Sequence, residues 1–170
     1  MSLTISQLNP LGRPEFVRLI GPVFEHSPWI AEMTFAKKPF ANRENLQRAL
    51  CETVKNSGAE KQLALICAHP DLAGTFALAG QLTKESTHEQ AGAGLNQLSP
   101  AEMDRFQRQN AAYKNKFGFP FVICARLNKK EAMHAGFERR LQNSREQEIK
   151  TALEEIFKIA ELRLRDLIKN

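Results

Sequence analysis

The first residues with usable chemistry lie in Cys67-Ala68-His69-Pro70-Asp71-Leu72-Ala73-Gly74, where the apolar run Leu63-Ala64-Leu65-Ile66 is brought to a stop. Pro70 has no backbone N–H and biases His69 out of the α region, so the helix before it ends there. An imidazole at a forced corner has two uses. It can cap the last helical carbonyls, or it can face a cavity and move protons, since it titrates near neutrality. Ser86-Thr87-His88-Glu89 has the Ser-x-x-Glu spacing of a capping box. The same spacing can seat a carboxylate or another hydrogen-bond acceptor on the free amides of a helix N-terminus. Arg163 interrupts the apolar stripe Ile149, Leu153, Ile156, Ala160, Leu167. A guanidinium there is either half of a buried ion pair or reaches along its stem into a wet cavity.

Helices must position these groups. Pro14 suits the first turn of a helix through Ile20, and Pro22 and Pro28 delimit a short element bearing Trp29, Ile30 and Met33. Asn42 caps a helix from about Arg43 to Ser57, with Leu46, Ala49, Leu50, Thr53 and Val54 on one face and Gly58 as its stop. Residues 59–68 form the helix that delivers His69, and Leu78 and Leu82 suggest a further helical piece. Ser99-Pro100-Ala101-Glu102 starts a long helix carrying Met103, Phe106, Asn110, Tyr113 and Phe117, closed by Gly118-Phe119-Pro120. Phe121-Val122-Ile123-Cys124-Ala125 has strand composition but no partner, and reads as a buried extended or helical segment. Helices then start at Asn128-Lys129-Lys130-Glu131 and, for the last and longest, at Ser144-Arg145-Glu146-Gln147. The expected fold is all-α: one domain over residues 1–170, with many short helices around one or two long ones.

Three motifs, His69-Pro70, Lys84 to Leu95 and Tyr113 to Cys124, resemble the OHCU decarboxylase family in order and spacing, and the resemblance spans nearly the whole chain. Such enzymes remove the carboxylate of 2-oxo-4-hydroxy-4-carboxy-5-ureidoimidazoline (OHCU) to give (S)-allantoin in urate breakdown. The resemblance implies His69 and Glu89 as catalytic residues. It implies a substrate pocket lined by Pro70, by Ser86, Thr87, His88, Glu89 and Gln90, by Phe121, Val122, Ile123, Cys124 and Ala125, and by Arg163. His69 would engage the substrate hydroxyl and supply a proton. Glu89 would orient the ureido or hydroxyl group or set the imidazole's protonation state, and Arg163 would fix the anionic or carbonyl edge. The substrate's ring C=N can take the electrons left by CO₂, so no cofactor is implied. Relatives of this kind are commonly dimers, and a homodimer is the corresponding expectation.

Composition excludes several other classes. Hydrophobic residues make up 42% and charged residues 25% of 170, an ordinary globular balance. The net charge of +5 is spread over short clusters such as Lys37-Lys38, Lys129-Lys130 and Arg139-Arg140. No helix carries an unbroken basic face, which argues against a nucleic-acid partner. Cys51, Cys67 and Cys124 are far apart in apolar contexts and read as buried reduced thiols. The four histidines show no metal-ligand spacing, so no metal is expected. No apolar run reaches membrane-spanning length, and neither the N-terminus nor the C-terminal Ile168-Lys169-Asn170 reads as a targeting signal. A cytoplasmic protein is expected. The rival enzymatic reading is another cofactor-free lyase or hydrolase acting on a small ureido or imidazole compound; a non-enzymatic helical interaction module is the bland alternative.

Overall fold

Several of the helices start on a local device. In the computed structural model, which describes residues 3–74, 77 and 79–169, helix α1 spans Ile5–Leu8 behind a Thr4 capping box. Helix α2 (Arg13–Ile20) opens on Pro14, α3 spans Trp29–Thr34, and α4 (Arg43–Lys55) starts where the Asn42 side chain accepts from the Asn45 N–H. Helix α5 (Ala59–Cys67) follows Gly58. Helix α6 (Lys84–Gly92) is capped by Thr83. Helix α7 (Pro100–Phe117) has the Ser99–Glu102 capping box at one end and left-handed Gly118, at φ +81°, at the other. Helices α8 (Lys130–Arg140) and α9 (Arg145–Leu167) complete the order. The only strands among the described residues are β1 (Leu3–Thr4) and β2 (Ile168–Lys169), a two-residue parallel pairing that the sequence did not announce. The protein is all-α in class. No helix among the described residues is long and apolar enough to cross a membrane.

The chain forms two compact units, one of residues up to Ala68 together with the stretch from Phe157 on, the other of His69–Ile156. In the first, Leu8, Phe16, Ile20, Ile30, Leu46, Leu50, Val54, Ile66 and Leu164 are buried. The Phe16 ring meets Phe35 edge-on at 5.6 Å and stacks on Phe40 at 6.1 Å. The polar members of the α3 and α4 inner faces satisfy each other, with the Thr34 and Thr53 hydroxyls 2.8 Å apart.

The second unit is built on aromatics. Phe106, Tyr113 and Phe117 on α7, Phe119 and Phe121 after it, and Phe137 on α8 are all buried. Phe121 stacks on Phe137 at 3.8 Å. Gly136 makes room for this: a Cβ there would lie 3.3 Å from the Phe121 ring, which accounts for a glycine inside α8 despite its helix penalty. Segment 121–124 is neither helix nor strand, and through Cys124, whose backbone is extended, it passes into a short 3₁₀ turn, Ala125–Leu127. Asn128 does not cap α8; its side chain donates to the Cys124 carbonyl at 2.9 Å, and Lys129 takes the cap position.

Two expectations from the sequence are corrected here. Cys67 is exposed and Cys51 only half-buried, so Cys124 alone of the thiols is buried. Cys67 falls on the outer side of α5, whose inner residues are Leu65 and Ile66. Arg140 is not part of a surface charge cluster: it is 4% exposed, because the spacing Met133, Phe137, Arg140 puts it on the buried face of α8. The helical piece expected around Leu78 and Leu82 lies partly on residue 78, outside the described residues; Leu82 itself is in a bend.

Candidate active site

His69 lies past the end of α5, outside any helix, and is 7% exposed. Its loop is held at successive residues. The Gln90 side chain donates to the Asp71 carbonyl at 3.2 Å and accepts from the Ala73 N–H at 3.1 Å. Asn110 donates to the Leu72 carbonyl at 2.8 Å, and Lys114 pairs with the Asp71 carboxylate at 2.7 Å. The loop is tight. Ala73 has φ +48°, in the left-handed region, and a Cβ on Gly74 would lie 2.7 Å from the Asp71 Cβ.

Helix α6 starts earlier than the Ser86–Glu89 spacing suggests. Thr83 is the cap, its hydroxyl accepting from the Ser86 N–H at 3.2 Å, so Ser86 and Glu89 lie inside the helix rather than boxing its start. This corrects the capping-box reading of that pair. It also turns Ser86, Glu89 and Gln90, at helical spacing, onto one buried face. Thr87 and His88 point the other way and are exposed. The segment Ser86–Gln90 therefore divides into three inward side chains and two outward ones.

The Phe121–Ala125 segment meets the same helix, because α6 packs against the Ala125–Leu127 turn. Phe121, Val122, Cys124 and Ala125 are buried and Ile123 is half-buried. Burial pushes the Cys124 thiol up, and the nearby Glu155 and Glu89 carboxylates push it the same way. A buried thiol held neutral in this way is a poor nucleophile. Two side chains fix the segment's backbone. Glu155 accepts from the Cys124 N–H at 2.8 Å, and Arg140 donates to the Val122 carbonyl at 2.7 Å while covering the Phe121 ring at 4.3 Å. Arg140 in turn is held by Glu148 at 2.8 Å, which also accepts from the Tyr113 hydroxyl and, at 2.8 Å, from Asn143. Burial and that hydrogen bond raise the Tyr113 pKa well above the usual phenol value.

Within the unit His69–Ile156, then, the loop of His69, the inner face of α6 and the 121–125 segment share direct contacts, the first through Gln90 and the second through Ala125–Leu127. Arg163 belongs to the other unit. It is 7% exposed, and its Nη1 pairs with Glu25 at 3.1 Å and donates to the Pro22 carbonyl at 3.3 Å. The ion-pair alternative that the sequence left open for Arg163 is thus realised in the structure. Arg140, Glu148, Glu155 and Asn110 were not anticipated as supports of the site. A solvent-open groove of about 470 Å³ between α7 and α8 is a different feature. Its charged lining is largely paired, Lys130 with Glu102 at 2.5 Å and Arg105 with Glu138 at 3.2 Å, and it contains none of the candidate site residues.

The family model for OHCU decarboxylase matches residues 9–165. The chain belongs to the OHCU decarboxylase family. Among curated members of the family, the 2-oxo-4-hydroxy-4-carboxy-5-ureidoimidazoline decarboxylase of Halalkalicoccus jeotgali is 41% identical over 165 residues, covering 97% of this chain and 92% of the relative. The enzyme of the same name from Amia calva is 41% identical over 167 residues, covering 98% and 95%. Among solved structures, a crystal structure of (S)-allantoin synthase superposes with a TM-score of 0.77 at 30% identity over 98% of this chain. The present chain spans only about half of that solved chain, 54%. Membership in the family agrees with what the motifs implied about the fold.

Proposed function

We propose that this chain is a cofactor-independent carboxy-lyase that converts OHCU to (S)-allantoin in urate breakdown. In this reading residues 1–170 act as one domain, and the protein is cytoplasmic and homodimeric. What carries the site assignment is the convergence, in one compact unit, of the His69 loop with the buried Ser86, Glu89 and Gln90 face and the 121–125 segment. Loss of CO₂ leaves an electron pair that the substrate's ring C=N accepts. His69 engages the substrate hydroxyl and delivers a proton to one face of the resulting carbon. Glu89 orients the ureido or hydroxyl group, or holds the imidazole in the required protonation state. Phe121 and the small residues after it wall a flat heterocycle, with backbone groups reading its edges.

The test is chiral analysis of product from freshly generated OHCU. Because OHCU also decays spontaneously to racemic allantoin, an excess of the (S) enantiomer is the decisive signal. That excess is expected to persist after exhaustive chelation. Racemic product at the spontaneous rate would sink the assignment, and activity lost to EDTA and restored by a metal would sink its cofactor-free part.

Arg163 is placed on the substrate by the family resemblance alone, beside its observed pairing with Glu25. If it also binds substrate, Arg163→Lys should keep a cation for Glu25 but lose the planar fork. The expected loss in kcat/KM is roughly 10- to 150-fold, the worth of one charge-assisted contact. Arg163→Leu, which takes the guanidinium away from the buried Glu25 carboxylate, should lower the melting temperature as well. An Arg163→Lys variant with wild-type kcat/KM would confine Arg163 to its ion pair.

A further inference from the structure

We propose that Asn110 is a positioning residue for His69, acting through the carbonyl of Leu72; the inference rests on the functional reading above. His69 and Pro70 lead directly into residues 71–73, which have no helical or strand hydrogen bonding of their own. Left to itself this loop would not keep its shape. Ala73 sits at φ +48°, a conformation that alanine leaves unless its surroundings enforce it.

Of the side chains that hold the loop, Lys114 is half-exposed and its pairing with Asp71 is open to solvent screening. Gln90 is itself in the proposed pocket. Asn110 differs from both. It lies on the inner face of α7, one turn from Phe106 and from Tyr113, both of which are 0% exposed, and is itself 5% exposed. An apolar residue would be the ordinary occupant of that position. Its Nδ2 instead donates to the Leu72 carbonyl at 2.8 Å, while its Oδ1 is buried with no hydrogen-bond partner among the described residues. An amide with one end orphaned is an expensive way to fill a core site. Its use is the other end: Leu72 is 5% exposed, so its carbonyl needs a donor from the protein. The bond ties the loop to the buried face of the long helix α7 three residues after the imidazole. Leu72 is thereby fixed and, through the stiff Pro70, so is the direction of His69.

The test compares Asn110→Asp with Asn110→Leu, each as a ratio of kcat to wild type at the same pH, corrected for folded fraction by circular dichroism. An ionised aspartate turns an acceptor on the Leu72 carbonyl and pushes the loop away. A protonated one donates and restores the tie. Burial raises the pKa of such a carboxyl above the usual carboxylate range, which brings its protonation into mildly acid solution. Lys114 lies one helical turn from position 110 and pairs with Asp71 on the same loop, so the comparison is repeated in a Lys114→Gln background, where the rise on acidification is expected to persist. At pH 8 both variants are expected to lose on the order of 10²-fold in kcat, the scale of a misplaced catalytic group, with KM little changed. On acidification the Asn110→Asp ratio should climb at least tenfold, while the Asn110→Leu ratio stays low and flat. A purely structural role would lower the folded fraction without this pH-dependent rescue. If wild type makes (S)-allantoin and the Asn110→Asp ratio stays near one, or stays flat with pH, the positioning role is overturned and the functional reading stands. If wild type shows no enantiomeric excess, the functional reading falls and takes this inference with it.

Discussion

Replacing His69 with asparagine is expected to cut stereoselective allantoin formation by about 10²- to 10⁴-fold, the range that a positioned general acid–base supplies. Folding should survive. His69 lies outside the helices, at a corner already set by Pro70 and by the hydrogen bonds of Gln90 and Asn110 to the next residues. Asparagine keeps a polar, turn-compatible side chain there but has no proton to exchange near neutrality. Background decay of the substrate sets the floor, so the measurement is the initial rate of enantiomeric excess, paired with a melting curve. A melting temperature close to wild type with lost stereoselectivity supports the chemical role. Wild-type stereoselective rate in His69→Asn would return the imidazole to capping α5.

Local signals in the sequence sufficed wherever a helix starts or stops by its own residues. Asn42, Ser99 and Ser144 begin helices as their side chains dictate, and Gly118 ends α7 in the left-handed conformation. Overlapping signals were harder. The Ser86-x-x-Glu89 spacing pointed to a start at Ser86, whereas Thr83 three residues earlier caps α6, and that shift decides whether Ser86 is a cap or an inward-facing residue. Non-local pairings were not legible. Arg140 lies in a run of two arginines and looks like surface charge until Glu148, on another helix, is seen to meet it. The same holds for β1 and β2, whose partners are at opposite ends of the chain. The supports of the site, Gln90 and Asn110 on the His69 loop and Glu155 on Cys124, bond to backbone groups. Backbone groups are the same at every residue, so no sequence pattern marks them as targets.

The second large effect should come from Glu148, a carboxylate with 0% exposure that gathers Arg140, Tyr113 and Asn143. Glu148→Leu leaves the Arg140 guanidinium, itself 4% exposed, without its counter-charge. Stranding one member of a buried pair typically costs about 3–5 kcal/mol. For a domain of this size that corresponds to a fall in melting temperature of roughly 6–20 °C. Removing both charges is the informative control. The double variant Arg140→Met/Glu148→Leu leaves no orphaned ion, so it should be less damaged than Glu148→Leu alone, and a double-mutant cycle should return a clear coupling. It will not be fully rescued, because the Val122 carbonyl loses its 2.7 Å donor and the Phe121 ring loses its cover. Stability and activity should therefore separate in the double variant: much of the melting temperature returns, while turnover stays impaired because the 121–125 wall has lost its anchor. A double variant that is as unstable as the sum of its single variants would show that Arg140 and Glu148 do not act as a pair.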